Sequence, residues 1–354
     1  MSADPKSLES HSSMADNTPN NSPVNLLSLD GGGIRGVSQL IILDEIMKRI
    51  QAKKQLTKVP KPCEYFHLIG GSGTGGLNAI MLGRLKMSTE DALCSYKKLA
   101  TAVFSPDNRK LFYQDGKFKA STLEAEIKEI VKHSCEGYIG DELLLDPDAG
   151  KSSIGNVFVC AKTSANLESP QRFRTYAGLP NQGPDSIMIV GLGGISSSYI
   201  DAGLGHNNPA KEVREEAMEL FGSDRPVGVF LSVGTGHPGP NGFQQPRGME
   251  KILSLELMKT VTKIAADCES VSSDFAKQYN SNLGIYFRFN VMHGTGILEV
   301  DDWQRGADIL AHTSAYLRGP DAFGKIKDMV EYLCSSSSLE RPHTLGTFGM
   351  SSVF

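Results

Sequence analysis

The stretch Leu26-Leu27-Ser28-Leu29-Asp30-Gly31-Gly32-Gly33-Ile34-Arg35-Gly36 constrains this chain more than any other. Its apolar run predicts a buried strand. A glycine-rich turn follows. Val37, Leu40, Ile41, Leu43, Ile46, Met47 and Ile50 then recur at helical spacing. A strand, a glycine turn and a helix in this order aim backbone N–H groups at one spot, at the positive end of the helix dipole. Such a spot binds a phosphate or steadies an oxyanion.

The pattern recurs. Tyr65-Phe66-His67-Leu68-Ile69 predicts a second strand, and Gly70-Gly71-Ser72-Gly73-Thr74-Gly75-Gly76 a second glycine turn. A helix is expected through Leu77, Ile80, Met81, Leu82 and Leu85. The alternation implies an α/β fold, a mainly parallel sheet covered by helices. Sites in such sheets lie at the carboxyl ends of the strands, where both turns sit. Helices are expected at 89–103, 121–133, over most of 249–280, near 302–317 and near 322–334. Strands are expected at 157–161, 172–176, 227–233 and 285–289. Tyr199 to Pro209 ends in a turn, and 177–198 shows little pattern. One domain is expected over 23–335, with a motif-bearing core at about 26–210 and an extension over 211–335. Residues 1–22, rich in Ser, Asn, Asp and Pro, read as a disordered tail. Residues 336–354 read as a second flexible tail.

A chain of 354 residues has ample core for one large domain. Its net charge of -4 gives no reason to expect nucleic acid. No apolar run approaches the roughly 18 residues of a membrane span, and the first residues lack the pattern of a secretion signal. The six cysteines contain no C-x-x-C pair, which argues against a zinc site and leaves reduced thiols in a cytosol as the expectation.

The first turn formally matches the dinucleotide fingerprint G-x-G-x-x-G. That fingerprint needs an acid about 20 residues on, and Arg49 to Lys54 supplies none. Asp30 also sets a carboxylate beside the place of a phosphate. A Walker loop fails because no Gly-Lys-Ser/Thr follows. A nucleophile elbow, G-x-S-x-G on a sharp strand-to-helix turn, is the remaining frame. Gly71 to Gly75 has the frame, but Gly73 stands at its centre. Ser72 lies one place early and Thr74 one place late.

Asp-Gly-Gly-Gly-Ile-Arg-Gly after a strand, the elbow-like turn some 40 residues on, and Asp201-Ala202-Gly203 followed by Asn207-Asn208-Pro209 together resemble a patatin-like phospholipase domain of the fungal FabD/lysophospholipase-like type. The resemblance covers roughly residues 26–210, and Val229 to Gly236 suits it. It implies a three-layer patatin-like α/β sandwich. It implies hydrolysis of lipid or lysophospholipid acyl esters by a Ser–Asp dyad, without metal or cofactor. Peripheral contact with intracellular membranes would bring a cytoplasmic protein to such a substrate. The backbone of Gly31, Gly32 and Gly33, with Arg35 and Gly36, corresponds to the oxyanion hole. Gly71, Thr74 and Gly75 correspond to the elbow, Gly73 to the nucleophile position, and Asp201 to the dyad aspartate.

Two departures stand out. Glycine at position 73 cannot form an acyl-enzyme, and Ser72 substitutes only if the turn shifts by one residue. The family's alanine-rich segment before the dyad aspartate is missing or replaced by Ser186 to Ile195. The chain is then either an impaired acyl hydrolase or a pseudoenzyme binding lipid or a protein partner. Other roles stay open for several residues. Asp30 caps the turn, pairs with Arg35 or joins the chemistry. Arg35 is also readable as a solvated helix start, Asp201 as an ordinary turn residue, His206 as a turn residue, Asn207 and Asn208 as bonding the local backbone, and His67 as packed within a strand.

Overall fold

A computed structural model describes residues 22–108, 119–146, 154–163, 166–177, 199–201, 207–236, 268–278, 285–291, 303–335 and 343–346. Both expected tails lie outside these residues, apart from Ser22 and residues 343–346, as do the Gly/Pro/Ser-rich segment at 178–198 and His206.

Strand β1 (Val24–Leu29) enters a tight turn and helix α1 (Gly36–Lys54). Strand β2 (Leu68–Ser72) leads into α2 (Thr74–Ala79), which runs on as a π turn over Ile80–Arg84. Helices α3 (Thr89–Val103) and α4 (Ala120–Ser134) follow, then strands β3 (Asn156–Thr163), β4 (Asn166–Arg174) and the short β5 (Tyr199–Asp201). Helix α5 (Ala210–Phe221), strand β6 (Val227–Val233), a helix α6 over 268–278, strand β7 (Tyr286–Phe289) and helices α7 (Gly306–Arg318) and α8 (Pro320–Cys334) complete the described elements.

The sheet runs β4-β3-β2-β1-β6-β7, with β5 paired to β3. Four of its pairings are parallel, while β4 and β5 run antiparallel to β3. This is the expected mainly parallel α/β sheet. The chain winds outward from β1 through β2 and β3, then returns to the other side of β1 with β6 and β7. The carboxyl end of β1 is thus the point where strand order reverses, the usual place of a crevice in an open α/β sheet.

The central strands are apolar on both faces because helices cover both. Leu27 and Leu29 of β1, Ile69 of β2, and Val229, Leu231 and Val233 of β6 pack toward the α1 side in one core. Leu26, Leu68, Phe158 and Phe230 point the other way and pack with Val213 of α5 and Phe275 of α6. Helix α1 is buried at Val37, Leu40, Ile42, Leu43, Ile46, Met47 and Ile50, while Ile41 is only partly covered.

Two local expectations are corrected. The second strand begins at Leu68, not Tyr65. Pro62 opens a 3-10 turn, and the Tyr65 and Phe66 amides both return to the Pro62 carbonyl at 3.0 Å, so those residues are spent on the turn. The strand also continues through Gly70 and Gly71 to Ser72. His67 therefore precedes the strand. Its Nδ1 accepts the Asn25 N–H at 3.0 Å, and burial, with Arg225 nearby, lowers its pKa to about 4.

That shift has a measurable consequence. A depressed histidine pKa means that the unfolded chain binds more protons between about 4 and the ordinary 6.5. The stabilisation is whole above pH 6.5 and is lost as pH falls toward 4. Urea midpoints should show a loss of about 2 kcal/mol between pH 7 and pH 5 from this ring. His67→Gln should remove that part of the slope; an unchanged slope would contradict the assignment.

Candidate active site

The first glycine turn is held from every side. The Asp30 amide still pairs with Val233 O at 3.1 Å, extending β1 against β6. The Gly31 amide donates to Asn207 O at 3.1 Å, and the Gly31 carbonyl accepts from Asn207 Nδ2 at 3.0 Å and Thr235 Oγ1 at 2.9 Å. The Gly32 amide donates to Thr74 Oγ1 at 3.1 Å, which ties the first turn to the second. Tyr96 Oη donates to Gly33 O at 2.6 Å and is also bonded to Thr74. Beneath the turn, buried Gln39 donates to the Asp30 and Val233 carbonyls at 2.8 and 2.9 Å, and Asn78 donates to Gln39 Oε1 at 2.8 Å. Of the three glycine amides, only that of Gly33 has no hydrogen-bond acceptor among the described residues. The expected row of three N–H donors is therefore reduced, since Gly31 and Gly32 are engaged within the fold.

Asp30 does not pair with Arg35. It is 2% exposed and makes a bidentate ion pair with Arg288 of β7, at 3.0 and 2.7 Å. Arg288 also donates to Ser232 Oγ at 2.9 Å. The carboxylate holds the guanidinium charged, above its ordinary range. Cys268 lies beside them. Burial and the Asp30 charge push its thiol up to about 12, so it stays protonated.

Arg35 is not a solvated helix start. It is 8% exposed, and its Nε donates to Gly32 O at 3.2 Å. It has no carboxylate partner among the described residues, and burial holds it below its ordinary range.

The second turn has the backbone of an elbow. Gly73 adopts φ 52° and ψ −122°, immediately before α2. These are close to the angles at the first central position of a type II′ turn, which favours glycine. The Gly73 carbonyl accepts the Gly76 and Leu77 amides at 3.0 and 3.3 Å, so the chain turns straight from strand to helix. The flanking glycines allow this closure: a Cβ on Gly71 would strike the Gly75 backbone, and one on Gly75 would strike the carbonyls of Leu29 and Asp30.

Ser72 points elsewhere. It is the last residue of β2, 0% exposed, and shares the strand face of Leu68 that packs toward α5. Its Oγ is buried without a hydrogen-bond partner among the described residues.

Asp201 ends β5, opposite Ala161 of β3. Ser72 is opposite Cys160, the preceding residue of β3. Strand β4 occupies the other edge of β3 at Ala161. Strand β5 therefore continues the row of β2, and the Asp201 backbone takes the next register place beyond Ser72, about one 3.3 Å strand step on. That is the place Gly73 vacates by turning into α2. Ala202 and Gly203 lie outside the described residues. Both asparagines do more than bond locally: Asn207 clasps Gly31 across the sheet end, and Asn208 accepts the Ala210 amide at 3.1 Å at the start of α5 while its Nδ2 donates to Cys268 O at 3.2 Å. Among the described residues, no group of three or more His, Cys, Asp or Glu side chains converges as a metal site requires.

Sequence reasoning missed Arg288, Gln39, Asn78, Thr235 and Tyr96. Only the buried polar positions within the helical pattern of α1 and α2 carried a hint; the partner of Asp30 lies 258 residues away with no local signal.

An open, mainly parallel α/β sheet with an elbow and a pinned glycine turn at its reversal point defines the class. Residues 27–167 match the family model of patatin-like phospholipase. The probable inactive patatin-3-Kuras 1 of Solanum tuberosum is 30% identical over 118 residues, covering 31% of this chain and 31% of that protein. Patatin-like phospholipase 1 of Plasmodium falciparum is 22% identical over 348 residues, 90% of this chain and 51% of that one. Calcium-independent phospholipase A2-gamma of Mus musculus is 25% identical over 295 residues, 75% and 35% of the two. Over residues 27–167 the chain is thus similar to the patatin-like phospholipase family. It spans about half or less of the length of each of these relatives, and the matched family segment stops before Asp201. No described helix is long and apolar enough to cross a membrane.

Proposed function

We propose that the place where the two glycine turns meet is a lipid acyl-ester site of Ser–Asp lineage, impaired as a hydrolase because glycine stands at its nucleophile position. The backbone of Gly73 carries this reading. Its angles and its flanking glycines are those an elbow nucleophile needs, and the residue itself carries no hydroxyl.

In this reading a hydroxyl at position 73 would attack the ester carbonyl. Asp201, whose backbone lies one register step away, would accept its proton. The Gly33 amide and the Arg35 charge would receive the oxyanion. With glycine at 73 no acyl-enzyme forms, and what remains is binding together with any oxyanion stabilisation. Ser72 does not replace the hydroxyl, because its side chain is buried on the far face of β2. Gly73 also favours the second reading, a pseudoenzyme that holds a lipid or lysophospholipid without cleaving it. Peripheral contact with an intracellular membrane from the cytoplasm would deliver the ligand in either case.

Turnover of a short p-nitrophenyl ester separates the two fates of Ser72. The native chain should show little activity, and neither Asp201→Asn nor Ser72→Ala should change it. Robust native turnover abolished by Ser72→Ala would sink the reading.

A further inference from the structure

A cavity of about 350 Å³ lies between α1, α3 and α7. Its apolar walls are Ile34, Val37, Ile41, Ala100, Ala307 and Leu310. We propose that this groove binds a single-chain anionic amphiphile, with the alkyl tail against Ile41 and Leu310 and the anionic head at Lys97. The inference rests on the lipid reading of the site for its class of ligand, but it requires no turnover.

Three observations carry it. First, the groove is continuous with the glycine turn. Ile34 is at once a groove wall and the residue between Gly33, whose amide has no acceptor among the described residues, and buried Arg35. Second, part of the apolar lining is left uncovered. Ile34 and Val37 are 3% and 2% exposed, whereas Ile41 is only partly buried and Leu310 is 47% exposed.

Third, the groove has polarity. Thr89 Oγ1 bonds Asp44 and Tyr96 Oη bonds Gly33, so α3 runs antiparallel to α1. Lys97 and Thr101, just beyond Tyr96, therefore lie toward the glycine-turn end of the groove, and Ile41 lies further along α1. Among the described residues no carboxylate lines the groove, and Lys97 has no acidic partner. Lys48, Lys53, Lys128 and Lys325 each sit on one. A cation at the mouth of an apolar trough matches an anion on an alkyl chain. From Ile34 to Ile41 the helix rises roughly 10 Å, the scale of a medium-length tail.

A fatty-acid carboxylate and a lysophosphatidate phosphate share this chemistry. The test is displacement of a fluorescent fatty acid from the full native chain by octanoate, decanoate, dodecanoate and hexadecanoate, and by lysophosphatidate. Affinity should rise about fourfold per added methylene and then level off once the groove is full. Thr101→Trp, at an exposed helix position, should block the mouth and abolish binding without changing the melting temperature. Lys97→Gln should weaken the anionic ligands about tenfold and leave dodecanol unaffected, as expected on losing one charge-assisted contact. If lysophosphatidate outcompetes the fatty acid of equal chain length, phosphate is the preferred head; the reverse order selects carboxylate. Native binding indifferent to both variants would overturn the groove and leave the lipid reading intact. No native binding of any of these probes would overturn both.

Discussion

Gly73→Ser should raise turnover of a short p-nitrophenyl ester by at least about 10²-fold, the lower end of what a positioned base contributes. The backbone already has the turn, at φ 52° and ψ −122°, and the substitution supplies the missing hydroxyl. Asp201→Asn in the same background should erase the gain, because an amide cannot take the proton. The new side chain also meets the strain that glycine avoids, of order 1–3 kcal/mol for a side chain at such angles. Gly73→Ser should therefore melt several degrees lower while working faster, a trade of stability for function. A folded Gly73→Ser protein with no gain would mean that the altered segment before Asp201 has dismantled the dyad, leaving the binding reading.

The other large effect concerns the support beneath the first turn. Arg288→Met should cost about 3–5 kcal/mol in urea denaturation, because it leaves the buried Asp30 carboxylate without its partner. Asp30→Ala should cost a similar amount by stranding Arg288, whose side chain is 11% exposed. The double variant Asp30→Leu/Arg288→Met should recover much of the loss, since apolar replacement of a buried pair is often near neutral. Additive single losses would show that the two groups act independently, contrary to their bidentate geometry.

Much of this was legible in the sequence, for physical reasons that differ by element. β1 and β6 are mostly apolar because both faces of the sheet are covered, and such runs show without context. α3 and α4 carry their own periodicity and fall within a residue or two of the expected bounds. The start of β2 was misjudged because Tyr65 and Phe66 are apolar yet bound into the Pro62 turn. β5 is three residues long and exists because β3 outruns β2 and leaves an open edge; no local pattern encodes that.

The site divides in the same way. Both glycine turns were visible as spacing. Their fastening was not, since Arg288, Asn207 and Thr235 arrive from distant parts of the chain. The sequence could offer three glycine amides as donors, but only the folded chain commits those of Gly31 and Gly32 to Asn207 and Thr74.

The central claim is that position 73, and no neighbouring serine, is the nucleophile position of this site. Treatment with a fluorophosphonate probe, followed by peptide mapping by mass spectrometry, tests it most directly. The account predicts no adduct on the native chain and a single adduct at position 73 in Gly73→Ser. An adduct on Ser72 of the native chain, or none on a folded Gly73→Ser protein, would contradict it.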